Sequence, residues 1–84
     1  MNKWKEENNA LQLSLKFKDF LSAWAFMTEV ALISEKMNHH PSWSNNYNFV
    51  HISLSTHDEG DIVTDKDIKL AEKISHIYRK YHDG

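Results

Sequence analysis

The 84-residue chain contains no cysteine, so neither a disulfide nor a thiolate metal site can staple it. Proline occurs once, at Pro41, and glycine only twice. Two glycines cannot furnish the loop that cradles a phosphate, and no G-x-S-x-G turn presents a nucleophilic serine. Long apolar runs are missing as well. The longest, Ala23 to Met27, falls far short of a bilayer span, so no membrane association is expected. Met1 to Glu7 include Lys3, Lys5, Glu6 and Glu7 with no apolar stretch behind them, so a signal peptide is not expected and the protein reads as cytoplasmic. Nor is there a block of one charge. The net charge is -2 with lysines scattered among acids, the wrong footprint for a phosphate backbone, which argues against nucleic acid as a partner.

What is present fits a folded domain. The apolar fraction is 40%, with three tryptophans, three tyrosines and four phenylalanines, and the chain reads as one domain over residues 1–84. A domain this small buries a limited share of its surface, and with cysteine absent self-association is the remaining way to add stability.

Ala10 to Phe17 alternates, with Leu11, Leu13, Leu15 and Phe17 on one face, which is the period of a half-buried strand. Glu7, Asn8 and Asn9 before it read as a turn, and Trp4 sits on a short preceding strand. From Asp19, an N-cap, the pattern becomes helical and runs to about Asn38, where Pro41 is read as ending it. Two apolar rows lie on this helix. One is Phe20, Trp24, Met27 and Ala31; the other is Ala23, Phe26, Val30, Ile33 and Met37. Together they are wider than the stripe of about 100° that one packing face requires. Either the helix is wedged between the sheet and the last helix, or the excess packs against another subunit, the reading preferred here.

Trp43 to Tyr47 and Phe49 to His57 read as a second hairpin turning at Asn48, with Val50, Ile52, Leu54 and Thr56 inward. Thr64 with Asp67 resembles a capping box, opening a helix to about Tyr81 whose core residues are Ile68, Ala71, Ile74, Ile77, Tyr78 and Tyr81. The expected fold is α+β, in the order β-β-α-β-β-α, with a four-stranded antiparallel sheet and both helices on one face.

Six histidines are many for this length. His39 and His40 stand together at a helix exit, and the second hairpin returns His57 towards them. Singly, each is most simply a helix-terminating or solvated residue. As a set beside Pro41, Trp43 and Tyr47 they read as one site. Imidazoles titrate near neutral pH and can divide the roles of acid and base. Adjacent histidines diverge on a helix and lack the i, i+4 spacing of a chelating pair, so no metal or other cofactor is expected. His51, His76 and His82 are read as structural or solvated.

The segments E-K-M-N-H-H-P-S-W (Glu35 to Trp43), Y-N-F-V-H-I-S-L-S-T-H-D (Tyr47 to Asp58) and T-D-K-D-I-K-L-A (Thr64 to Ala71) resemble the pterin-4a-carbinolamine dehydratase family. F-K-D-F-L-S-A-W-A-F-M-T-E-V-A (Phe17 to Ala31) is similar to its central helix. The resemblance implies a hydro-lyase that removes water from 4a-hydroxytetrahydrobiopterin, giving a quinonoid dihydropterin for recycling. It implies His39 and His57 as the main acid-base residues, His40 as a catalytic residue that orients substrate, Glu35 and Asp67 as supporting carboxylates at the substrate, and Pro41 and Trp43 as pocket wall. It also implies a homodimer or homotetramer built through the central helix and a sheet edge. Two other readings accompany it: a non-catalytic member that binds and stabilises a protein partner, and pterin handling in molybdenum cofactor metabolism. Set beside the family, whose members usually carry a helix before the first strand, this sequence begins almost at that strand; it also has a single glycine in the loop after His57, and Ser42 where an acidic residue is common.

Overall fold

The computed structural model describes residues 3–82; Met1 and Asn2, part of the segment read against a signal peptide, lie outside them, as does the side chain of His82. The elements are β1 (Lys5–Glu7), β2 (Ala10–Lys16), α1 (Phe20–Met37), β3 (Ser42–Asn46), β4 (Phe49–Leu54) and α2 (Asp65–His82), with one 3₁₀ turn, His57–Glu59, between β4 and α2. All strand pairs are antiparallel, in the order β1-β2-β4-β3. The expected α+β order and sheet are therefore those of the protein.

Alternation makes the sheet one-sided. Leu11, Leu13 and Leu15 on β2 stand opposite Leu54, Ile52 and Val50 on β4, and all six are buried under the two helices. Gln12, Ser14, Lys16 and His51 take the open face. Asn8 and Asn9 close the first hairpin with φ of 54° and 62°, the left-handed geometry that a two-residue hairpin loop requires and asparagine tolerates. Trp4, just before β1, is buried and donates from Nε1 to Ser75 Oγ on α2 at 2.9 Å, which ties the sheet edge to the last helix.

The Asp19 side chain caps α1 by accepting from the Ser22 amide at 2.8 Å. The other end differs from the sequence reading. Asn38, at φ 52°, ends the helix three residues before Pro41. The His39 amide donates to Ser34 O at 3.0 Å and the Asn38 amide to Glu35 O at 3.1 Å, so a left-handed cap satisfies the last carbonyls. Pro41 then only keeps His40 extended.

Of the two apolar rows, one enters the core: Ala23, Phe26 and Val30 are fully buried, with Ile33 and Met37 packed at the edge. The other is mostly open, with Phe20 and Trp24 about half exposed and only Met27 packed against the core. On α2 the buried stripe is Asp67, Leu70, Ala71, Ile74 and Ile77. Ile68 was expected in it, but the stripe's spacing of three and four residues passes through Leu70 and leaves Ile68 exposed. No helix among the described residues is long and apolar enough to cross a membrane.

Candidate active site

The expected strand to His57 stops earlier. β4 ends at Leu54, and Thr56 makes an isolated antiparallel bridge to Ile62 across a tight loop. Alternation nevertheless persists through Thr56, which is buried, so a strand and a bridge are indistinguishable by period alone. His57 opens the 3₁₀ turn, and Gly60, at φ 88°, supplies the left-handed residue that closes it.

This turn and the α1 exit face one another across a cleft of about 280 Å³. His39, His40, Thr56, His57, Asp58 and Lys66 are among its lining residues. The three histidines singled out from the sequence thus share one concavity.

Each imidazole is paired with a carboxylate, and each in a different environment. His39 Nε2 donates to Asp67 Oδ1 at 2.5 Å; the His39 side chain is 11% exposed and that of Asp67 is 0% exposed. His57 Nδ1 donates to Asp61 Oδ1 at 2.8 Å, both in solvent. His40 Nε2 donates to Glu35 Oε1 at 2.9 Å on the rim. Burial pushes the Asp67 carboxyl up. The hydrogen bonds from His39, the Thr64 amide and the Thr56 hydroxyl outweigh it and hold the group below the ordinary carboxylate range. Asp67 is therefore an anion, and because a carboxylate only accepts, the His39 hydrogen sits on Nε2. Nδ1 is the ring nitrogen of His39 that this bond does not occupy.

His57 is shifted the other way. Its hydrogen bond to Asp61, the Asp61 charge and the nearby Asp58 raise its pKa against a small desolvation effect. Replacing Asp61 with asparagine removes the charge, so the His57 titration followed by NMR is expected to move to lower pH; an unchanged midpoint would contradict this pairing.

The remaining sequence-selected residues are placed unequally. Asp67 lies beneath the cleft, hydrogen-bonded to two of its lining residues, His39 and Thr56. Pro41 is half-buried and is not among the lining residues. Trp43 lines a separate apolar groove of about 300 Å³ with Trp24, Met27 and Leu32 of α1. His51 is on the open sheet face, where Ser14 Oγ donates to its Nδ1 and its Nε2 donates to Gln12 Oε1, both at 2.9 Å. Sequence reasoning placed Thr56 on the inward face without a role and did not single out Asp61, since the contacts of both depend on the loop closure. It named the Thr64–Asp67 box, of which the bond from the Thr64 amide to Asp67 Oδ2 forms at 2.9 Å. Among the described residues no group of three or more His, Asp or Glu side chains is arranged to hold a metal ion.

This small α+β domain gathers three carboxylate-paired imidazoles in one cleft, side chains of a kind that can give and take protons. The family model described as pterin 4 alpha carbinolamine dehydratase matches residues 1–77. A Prochlorococcus marinus (strain NATL2A) protein that bears the name pterin-4-alpha-carbinolamine dehydratase provisionally is 50% identical over 74 residues, covering 88% of this chain and 77% of its own. A Burkholderia ambifaria (strain MC40-6) protein with the same provisional name is 51% identical over 69 residues, 82% of this chain and 67% of its own. Among solved structures, a Brucella melitensis transcriptional coactivator/pterin dehydratase superposes with a TM-score of 0.88 at 44% identity, covering 92% of this chain and 83% of that one. A pterin dehydratase-like RuBisCO assembly factor of the alpha-carboxysome shares the fold, with a TM-score of 0.76 at 20% identity over 89% of this chain and 88% of its own. The chain belongs to the pterin-4a-carbinolamine dehydratase family.

Proposed function

We propose that the protein is a hydro-lyase converting 4a-hydroxytetrahydrobiopterin, or a close pterin analogue, to the quinonoid dihydropterin and water. The observation that carries this is the convergence of two carboxylate-paired imidazoles, His39 and His57, on one cleft. His57, its pKa raised by Asp61, gives a proton to the departing C4a hydroxyl, which leaves as water. His39, its Nε2 hydrogen held by buried Asp67, takes the proton from the adjacent ring nitrogen on Nδ1 as the C4a–N double bond forms. His40, paired with Glu35 on the rim, orients the ring. Protons balance: one leaves His57 and one arrives at His39, and solvent resets both. The test is to generate the 4a-carbinolamine in situ with an aromatic amino acid hydroxylase and follow its loss. Acceleration proportional to added protein is expected, and an unchanged rate would overturn the proposal.

The open row of α1 supports a second element of this reading. Phe20 stacks on Trp24 at 6.0 Å between centroids, and Trp24 and Leu32, 54% and 67% exposed, flank the apolar groove. We assign this face to contact between copies of the chain in a homodimer or homotetramer, because a single small domain leaves it uncovered. Trp24→Ser is expected to lower the mass seen by light scattering while dehydration at saturating substrate stays within about twofold. An unchanged mass would remove this face from contact between copies of the chain.

A further inference from the structure

We propose that Thr56 is a positioning residue that fixes the two reacting imidazoles relative to one another, acting on His39 through Asp67 and on His57 through the backbone. The kinetic part of this inference rests on the dehydratase reading; the structural part does not.

The direction of every hydrogen in the chain follows from counting. Asp67 is an acceptor only, and Thr56 Oγ1 lies 2.8 Å from Asp67 Oδ2, so the single hydroxyl hydrogen of Thr56 points at the carboxylate. Thr64 Oγ1 lies 2.6 Å from Thr56 Oγ1 but 3.5 Å from Asp67 Oδ2, so its hydrogen goes to Thr56. The Thr64 amide also donates to Oδ2 at 2.9 Å. Two donors thus hold Oδ2, while Oδ1 has His39 Nε2 at 2.5 Å as its only hydrogen-bond partner among the described residues. A carboxylate gripped on one oxygen cannot rotate, so the other oxygen stays aimed at the ring nitrogen. Thr56 is 3% exposed and touches the cleft beside His39, so its side chain is sheltered from competing water.

Its backbone reaches the other imidazole. The Thr56 amide donates to Ile62 O at 2.8 Å, and Thr56 O accepts from the amides of Glu59 at 3.2 Å and Asp61 at 3.1 Å. These bonds close the turn that carries His57 and place Asp61 where its carboxylate meets His57 Nδ1. One residue is therefore tied to the partner of the base and to the partner of the acid. A threonine that only filled space would require neither the hydroxyl nor its orientation.

The experiment compares Thr56→Val, which keeps the shape and removes the donor, with Thr56→Ser, which keeps the donor. The readouts are imidazole ¹⁵N shifts of His39 in the whole protein and steady-state kinetics. In the native protein and in Thr56→Ser, His39 is expected as a single Nε2–H tautomer. Thr56→Val is expected to mix the tautomers and to lower kcat by about tenfold or more with KM within about twofold, since a hydrogen bond to a charged group is lost. Should Thr56→Val fail to fold, Thr56→Cys, with a weak donor, is expected to fall between the other two. A folded Val or Cys variant with native tautomer and native kcat would overturn the proposal, as would an Nδ1–H tautomer in the native protein. Mixed tautomers in Thr56→Val but not in the native protein, with no form active, would keep the positioning role and overturn the dehydratase reading instead.

Discussion

His39→Gln is expected to lower kcat/KM for carbinolamine dehydration by about 10² to 10⁴, the range that one positioned acid or base supplies. Glutamine is the informative choice because its amide still donates to Asp67 while it cannot take up a proton. The fold should survive and the chemistry should not. His39→Ala adds a second defect, since it leaves the fully buried Asp67 carboxylate without the donor on Oδ1. Leaving a buried group unsatisfied costs about 1–3 kcal/mol, and more for a charge, so alanine is expected to be less stable than glutamine at neutral pH. The pH dependence fixes the sign. The native Asp67 carboxyl lies below its unfolded value, so its stabilisation is fully present above the ordinary carboxylate pKa and is lost as pH falls through the lowered native one. The stability gap between the variants should therefore close in acid. Near-native activity in His39→Gln would remove His39 from the role of base.

Phe26→Ala is expected to cost about 3–5 kcal/mol, the range for deleting a buried aromatic ring. Phe26 is fully buried where α1, α2 and the end of β2 meet. Its ring lies 5.0 Å from that of Phe17 and 6.0 Å from those of Tyr78 and Tyr81. Small domains have a total stability of about 5–15 kcal/mol, so a loss of this size approaches the whole of it. The midpoint of denaturant unfolding should fall sharply. If copies associate through α1, the melting temperature of this variant should also rise with protein concentration. A loss below about 1 kcal/mol would contradict the core as described.

Much of this was legible in the sequence, and what was not has identifiable causes. The β2 alternation, both hairpins, the Asp19 cap and the two apolar rows of α1 follow from local periodicity and side-chain chemistry. Asn38 was overshadowed by Pro41, because a proline is the louder signal while an asparagine in left-handed geometry depends on the bonds around it. Trp43 sits beside the histidines in sequence, but strand alternation turns it towards the α1 groove and away from the cleft. The clustering of His39, His40 and His57 could be argued from the hairpin return. The different carboxylate behind each one could not, since Asp61 is brought to His57 by the loop bridge and Asp67 to His39 by helix docking.

The most direct measurement is a titration of the protein with 7,8-dihydrobiopterin, a stable analogue of the reacting ring, followed by the NMR signals of all assigned histidines. Saturable shifts are expected at His39, His40 and His57, with His51 and His76 unmoved. Shifts at His51 instead, or none at the three cleft histidines at saturating analogue, would contradict it.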